Sequence, residues 1–280
     1  MPAPSFLPFR CSTLQALNVR DTGEGTHALV LAHGFGTDQR VWAHYTPWLA
    51  ERYRVITYDL PCAGAAEPSY FDLRRHGSLD GHAEDLISIL DELGISQCTL
   101  LGHSASGMIG VLAAIAAPER FERLILLGAS ARYLDAPGYH GGFDEATVEA
   151  IIGAIGTRFR EWAATFGPYA MDLPIEHPAA ESFVDSILRM RPSDAIGMAK
   201  AIFMSDYRDV LPNCRVPVTV LQTRQDPAVP IEAARYLAEH LPRAELEVLD
   251  VTGHLPHLSA PQVIDEALHR HLARFARAAP

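Results

Sequence analysis

The chain alternates short, nearly unbroken apolar runs with longer stretches in which apolar residues recur every third or fourth position. The short runs are ALVLAHG (28–34), RVITYD (54–59), CTLLGH (98–103), RLILLG (123–128), PVTVLQT (217–223) and ELEVLD (245–250). Most are continuous rather than alternating, as strands buried on both faces should be. Between them lie helix patterns such as LDGHAEDLISILDELG (79–94), where Leu86, Ile89, Leu90 and Leu93 share a face and Gly94 ends the run. Strand and helix in alternation predict an α/β fold with a mostly parallel, doubly wound sheet.

The alternation breaks between residues 133 and 196. FDEATVEAIIGAIGTRFREWAATFG and ESFVDSILRMR have helical spacing, and no strand pattern separates them. The economical organisation is therefore a core in two parts, 1–132 and 197–280, interrupted by a helical insertion at 133–196. Open parallel sheets bind ligands at the carboxyl ends of their strands, and an insertion leaving that rim is placed to roof the crevice.

One strand ends in chemistry. In LLGHSASGMIG (100–110) a buried strand gives way to Gly102, His103 and Ser104, then to a small-residue helix pattern. This is the setting of a nucleophile elbow, a tight strand-to-helix turn that lifts a hydroxyl out of the sheet and needs small neighbours. Gly102 and Ser106 occupy the two small positions, the second usually a glycine. A serine is a weak nucleophile alone, so the chain must also supply a base, an acid and oxyanion donors.

The order expected on this architecture is Ser, then Asp or Glu, then His. RQDPAVP places Asp226 just past the run at 217–223, and VTGHLPHLS places His254 just past the run at 245–250. His257 competes for the role of base, but His254 follows Gly253 in the loop itself. Asp250 competes for the acid, yet it would have to fold back from the strand that feeds the histidine. The oxyanion donors expected are the amides of Ala105, which follows the serine, and of Phe35 in HGFGTDQ, where Gly34 and Gly36 let the backbone curl toward the site. That loop is not a phosphate cradle, because no GxxxxGK[ST] follows the strand.

Composition narrows the partners. The chain has 280 residues and 34 acidic against 23 basic ones, for a net charge of −11. Such a balance repels nucleic acid and anionic lipid surfaces. Prolines interrupt the N-terminal MPAPSFLPFR, and no apolar run approaches the length of about 18 residues that spans a membrane. A cytoplasmic protein is expected. Cys11, Cys62, Cys98 and Cys214 are widely spaced and read as free thiols. His254 with His257, and His269 with His271, lack metal-site spacing, so neither a metal nor another cofactor is expected.

Taken in order, HGFGTDQ, GHSASGMIGVLA, GASARYLDAPGYHGGFD, MRPSDA, IFMSDYRDVLP, DPAVP and GHLPHLS resemble the α/β-hydrolases that include the plant strigolactone and karrikin receptors and the bacterial RsbQ-like proteins. The resemblance covers nearly the whole chain. It implies an α/β-hydrolase fold, a triad of Ser104, Asp226 and His254, an oxyanion hole at Phe35 and Ala105, and a four-helix cap (lid) at 133–196 over an apolar pocket. Phe35, Phe143, Trp162, Phe166 and Phe203 are the candidates for its lining. The chain departs from the family at Ala105 and Gly107, where valine and alanine are common, and at Pro61 and Cys62.

The function expected is a serine hydrolase cleaving a small apolar ester or lactone, of butenolide type, through an acyl-enzyme. A signalling protein whose ligand-bound or modified cap is read by a protein partner is the alternative. A carbon–carbon bond hydrolase with the same triad is a third.

Overall fold

The six strand-sized runs and one further short strand form one seven-stranded sheet in the order β1-β3-β2-β4-β5-β6-β7. Its strands are β1 (Arg20–Thr22), β2 (Ala28–Ala32), β3 (Arg54–Tyr58), β4 (Cys98–His103), β5 (Phe121–Leu127), β6 (Val218–Gln225) and β7 (Ala244–Thr252). The computed structural model describes residues 12–273, so Cys11 lies outside the described residues. All neighbouring pairs run parallel except β1 with β3. β1 is absent from the hydrophobic pattern because its three residues, Arg-Asp-Thr, are all exposed. An edge strand held by backbone bonds and polar side chains leaves no periodic signature.

Alternate side chains of β2 divide the core. Ala28, Val30 and Ala32 join the larger apolar cluster, whereas Leu29 and Leu31 join a second one built with Trp42, Tyr45, Leu49 and Leu268. Successive strand residues point to opposite faces, so each face needs its own helical cover. Short helices α1 (Thr13–Ala16), α2 (Thr46–Ala50) and α3 (Leu73–His76) precede α4 (Leu79–Glu92) and α5 (Ala105–Ala116). Buried residues of α5 follow one another from Ala105 to Ala114, because sheet and neighbouring helix enclose it. Gly110 permits this closeness: a Cβ there would stand 2.1 Å from Leu100 Cδ2.

Between β5 and β6 the chain leaves the sheet and forms α6 (Glu145–Thr157), α7 (Phe159–Met171), α8 (Pro178–Leu188) and α9 (Pro192–Phe203). The last of these continues past residue 196, with Ala199, Ala201, Ile202 and Phe203 all buried in its final turns. An ion pair from Arg132 to Asp206, 2.6 Å long, ties the two ends of this excursion together. α10 (Ile231–His240), α11 (Pro256–Ser259) and α12 (Pro261–Ala273) complete the described chain. Among the described residues no helix is long and apolar enough to cross a membrane, and Cys62, Cys98 and Cys214 are free.

Candidate active site

Ser104 stands between β4 and α5 with φ 56° and ψ −124°, a conformation that L residues rarely adopt. The turn is possible only with small neighbours. A Cβ on Gly102 would meet the Ser106 carbonyl oxygen at 2.5 Å, and one on Gly107 would meet Ala129 Cβ at 2.5 Å. Ser106 takes the usual glycine position because its hydroxyl has a partner there, donating to the His33 carbonyl at 2.5 Å. That bond ties the elbow to the loop after β2.

The sequence-derived partners converge on the hydroxyl. His254 Nε2 lies 2.9 Å from Ser104 Oγ, and His254 Nδ1 lies 2.8 Å from Asp226 Oδ2. A carboxylate accepts, so Nδ1 carries the proton and Nε2 presents its lone pair to the serine. Asp226 is nearly sealed from solvent, its side chain 1% exposed. Its other oxygen accepts from the amides of Ala228 and Val229 at 2.8 and 2.9 Å, and Gln222 Nε2 adds a bond of 3.2 Å to Oδ2. The competitors lie elsewhere. Asp250 pairs with Arg224 at 2.9 Å and is 86% exposed, and His257 stacks on Trp42.

The loop after β2 is brought against the elbow. Gly34 lies so close that a Cβ there would stand 2.5 Å from His103 Nδ1 and 3.0 Å from Ser104 Cβ. His33 fixes this loop from below. Its Nε2 accepts from the Leu60 amide at 2.9 Å, which leaves Nδ1–H to donate to the Gly34 carbonyl at 2.9 Å. Ala105 is the first residue of α5, so its amide is among the N–H groups that have no partner within the helix. Asp38, two residues past Gly36, binds the Arg40 guanidinium and reaches Arg189 and Ser186 of the α8 end at 3.4 Å. Burial pushes its carboxyl up, but the Arg40 bonds outweigh that and hold it at about 2.

The aromatic side chains expected from the sequence fall into two groups of touching rings. Phe35 leans on Trp162 with ring centres 6.2 Å apart, and Trp162 stacks on Phe166 at 5.0 Å. Phe203 meets Phe143 at 5.4 Å and Tyr133 at 5.6 Å, both edge to face. All five aromatics expected from the sequence thus belong to these groups. Tyr133 was not foreseen, although its hydroxyl lies 3.3 Å from Ser104 Oγ. Burial, with the Ser104 bond opposing, holds its phenol well above the usual range. A second unforeseen residue is His103, whose Nε2 donates to the His254 carbonyl at 2.9 Å. Burial, with His257 and His254 adding to it, keeps His103 well below the usual histidine range. It is a neutral strut.

Among the described residues no group of three or more His, Cys, Asp or Glu could hold a metal ion. What the arrangement can do is take a proton from the Ser104 hydroxyl onto His254 Nε2.

The family model for the alpha/beta hydrolase fold matches residues 27–261. A strigolactone esterase of Arabidopsis thaliana is 44% identical over 263 residues, covering 93% of this chain and 98% of that protein. Karrikin insensitive 2 receptor CA of Petunia hybrida is 39% identical over 259 residues, covering 92% and 96%. The solved structure of a hydrolase from Oleispira antarctica matches with a TM-score of 0.89 at 29% identity, over 93% of this chain and 96% of that one. Likeness sustained over both chains at these identities leaves one assignment: this protein is an alpha/beta hydrolase, grouped within that family with the strigolactone esterases and karrikin insensitive 2 receptors.

Proposed function

We propose that the protein cleaves a small, mostly apolar ester or lactone, of butenolide type, by transient acylation of Ser104. The observation that carries this reading is the unbroken chain of hydrogen bonds from Ser104 Oγ through both nitrogens of His254 to Asp226. As Oγ attacks the carbonyl carbon, its proton passes to His254 Nε2 and the carbonyl electron pair moves onto oxygen. The Phe35 and Ala105 amides receive that oxyanion. Collapse breaks the ester C–O bond, and the leaving oxygen takes the proton from His254. Water then repeats the sequence on the acyl-serine, with His254 again as base, and frees the acid.

Asp226 keeps the imidazole in the tautomer this requires. The aromatic groups at Phe35, Trp162 and Phe166 and at Phe143 and Phe203 favour an apolar substrate body, and no cofactor enters any step. The helices between β5 and β6 act as a cap over this pocket, because Trp162 of α7 leans on Phe35 and Gly36 packs against Phe183 and Ile187 of α8.

A second reading is favoured by the 39% identity to karrikin insensitive 2 receptor CA. In it, slow release of the acyl group lets a protein partner recognise the modified cap. Steady-state hydrolysis of a panel of esters and butenolides tests the first reading. Ser104→Ala is expected to lose roughly four to six orders of magnitude in turnover. More than a few per cent residual activity in the pure variant would place the nucleophile elsewhere. A burst of about one product per protein before slow turnover supports the second reading, and fast turnover without a burst opposes it.

A further inference from the structure

Both loops that carry the acid and the base are tied to the same turn of α7. The Ala170 carbonyl accepts from the His254 amide at 2.7 Å. Met171 crowds the preceding residue so closely that a Cβ on Gly253, at φ +88°, would stand 2.3 Å from the Met171 carbonyl oxygen. On the other loop, the hydroxyl of Tyr169 donates to the Pro227 carbonyl at 3.0 Å. This last contact comes from a side chain that is 51% exposed, so packing alone does not account for its placement.

The acceptor is informative. The Pro227 carbonyl and the Ala228 N–H belong to one planar peptide unit. That N–H donates to Asp226 Oδ1 at 2.8 Å. A hydrogen bond into the carbonyl fixes the plane and polarises the amide, which strengthens the donor at its other end. The opposite oxygen of the same carboxylate receives the His254 Nδ1–H.

We propose that Tyr169 is a positioning residue of the hydrolytic site, holding the Pro227–Ala228 peptide so that Asp226 keeps its alignment with His254. Tyr169 touches no reacting atom. It acts through Asp226, and the inference therefore rests on Asp226 being the acid of the site. Because Tyr169 belongs to the cap, the alignment of acid and base depends on where the end of α7 sits.

Tyr169→Phe removes one oxygen from a half-exposed ring and leaves the ring in place. Its kcat is expected to fall about three- to tenfold, the range that one neutral hydrogen bond allows, with KM within about twofold. A less aligned carboxylate stabilises the imidazolium less, so the acid limb of kcat/KM should move to lower pH. Besides Asp226, the titratable groups near the His254 ring are His103 of β4, His257 of α11 and Tyr133 across Ser104, and all three are unchanged in the variant.

In an Asp226→Asn background, Tyr169→Phe should cost nothing further. Unchanged kcat and pH profile, a loss confined to the melting temperature, or an equal loss in the Asp226→Asn background would each overturn the positioning role. An inactive Asp226→Asn beside an unaffected Tyr169→Phe removes that role alone. A fully active Asp226→Asn removes the acid assignment and the role with it.

Discussion

Tyr133 Oη lies 3.3 Å from Ser104 Oγ, on a hydroxyl that already has His254 Nε2 at 2.9 Å. With the serine proton directed at His254, Tyr133 is left to donate to Oγ. In the proposed acylation that bond orients the attacking hydroxyl. The Tyr133 phenol is held well above the usual range, chiefly by burial, so it remains a donor at any working pH. Tyr133→Phe is therefore expected to lower kcat about 3- to 30-fold, far less than loss of the serine. Steady-state kinetics check this, and an unchanged kcat would make Tyr133 part of the pocket wall only.

The oxyanion role proposed for the residue 35 amide can be separated from its side chain. Phe35→Pro removes the backbone N–H, and a lost donor typically costs about 10²- to 10³-fold in kcat. Phe35→Leu keeps the N–H and changes only the side chain, losing the ring contact with Trp162. The proline variant should lose kcat and the leucine variant mainly KM. Equal losses in both would show that the ring, and not the amide, matters there.

Acid should destabilise the fold through buried neutral histidines. Burial, reinforced by His76, lowers His82 to about 4, and burial with His254 nearby lowers His257 to about 3. In the unfolded chain each takes a proton near pH 6.5, so between that pH and the folded values the unfolded state binds more protons. Their contribution to stability is thus complete above about pH 6.5 and is lost as pH falls toward 3 to 4. His82→Leu should flatten the dependence of unfolding free energy on pH by up to about 1.4 kcal/mol per pH unit in that window. Denaturant titrations at several pH values measure the slope, and an identical slope in the variant would contradict the prediction.

Five of the seven strands, β2 to β6, are legible in the sequence because burial on both faces leaves continuous apolar runs, and β7, largely unburied at the sheet edge, still shows as the short run ELEVLD. Ser104, Asp226 and His254 were legible for a related reason, since each stands just past a strand end, where a parallel sheet gathers its ligand groups. Tyr133 and Tyr169 left no such signal. Tyr133 sits in an irregular loop after β5, fastened by isolated bridges such as Leu134 with Phe143, and its aim at Ser104 depends on that loop's path. Tyr169 reads as one more residue near the end of a helix, and its partner is a backbone carbonyl 58 positions away. Ser106 stands where a glycine is usual, and the sequence alone carries no sign of the bond to the His33 carbonyl that its hydroxyl makes there. Periodicity reports burial and strand-end position, and contacts made by loops across the rim are invisible to it.

The most direct test of acylation at Ser104 is intact-protein mass spectrometry during turnover of a synthetic butenolide ester, followed by peptide mapping. Wild type is expected to gain the mass of one acyl fragment within the first turnover, carried on Ser104 or on the adjoining His254 imidazole, while Ser104→Ala gains none. Product formation by a wild type whose mass never changes when quenched during the burst, or an equal adduct on Ser104→Ala, would contradict it.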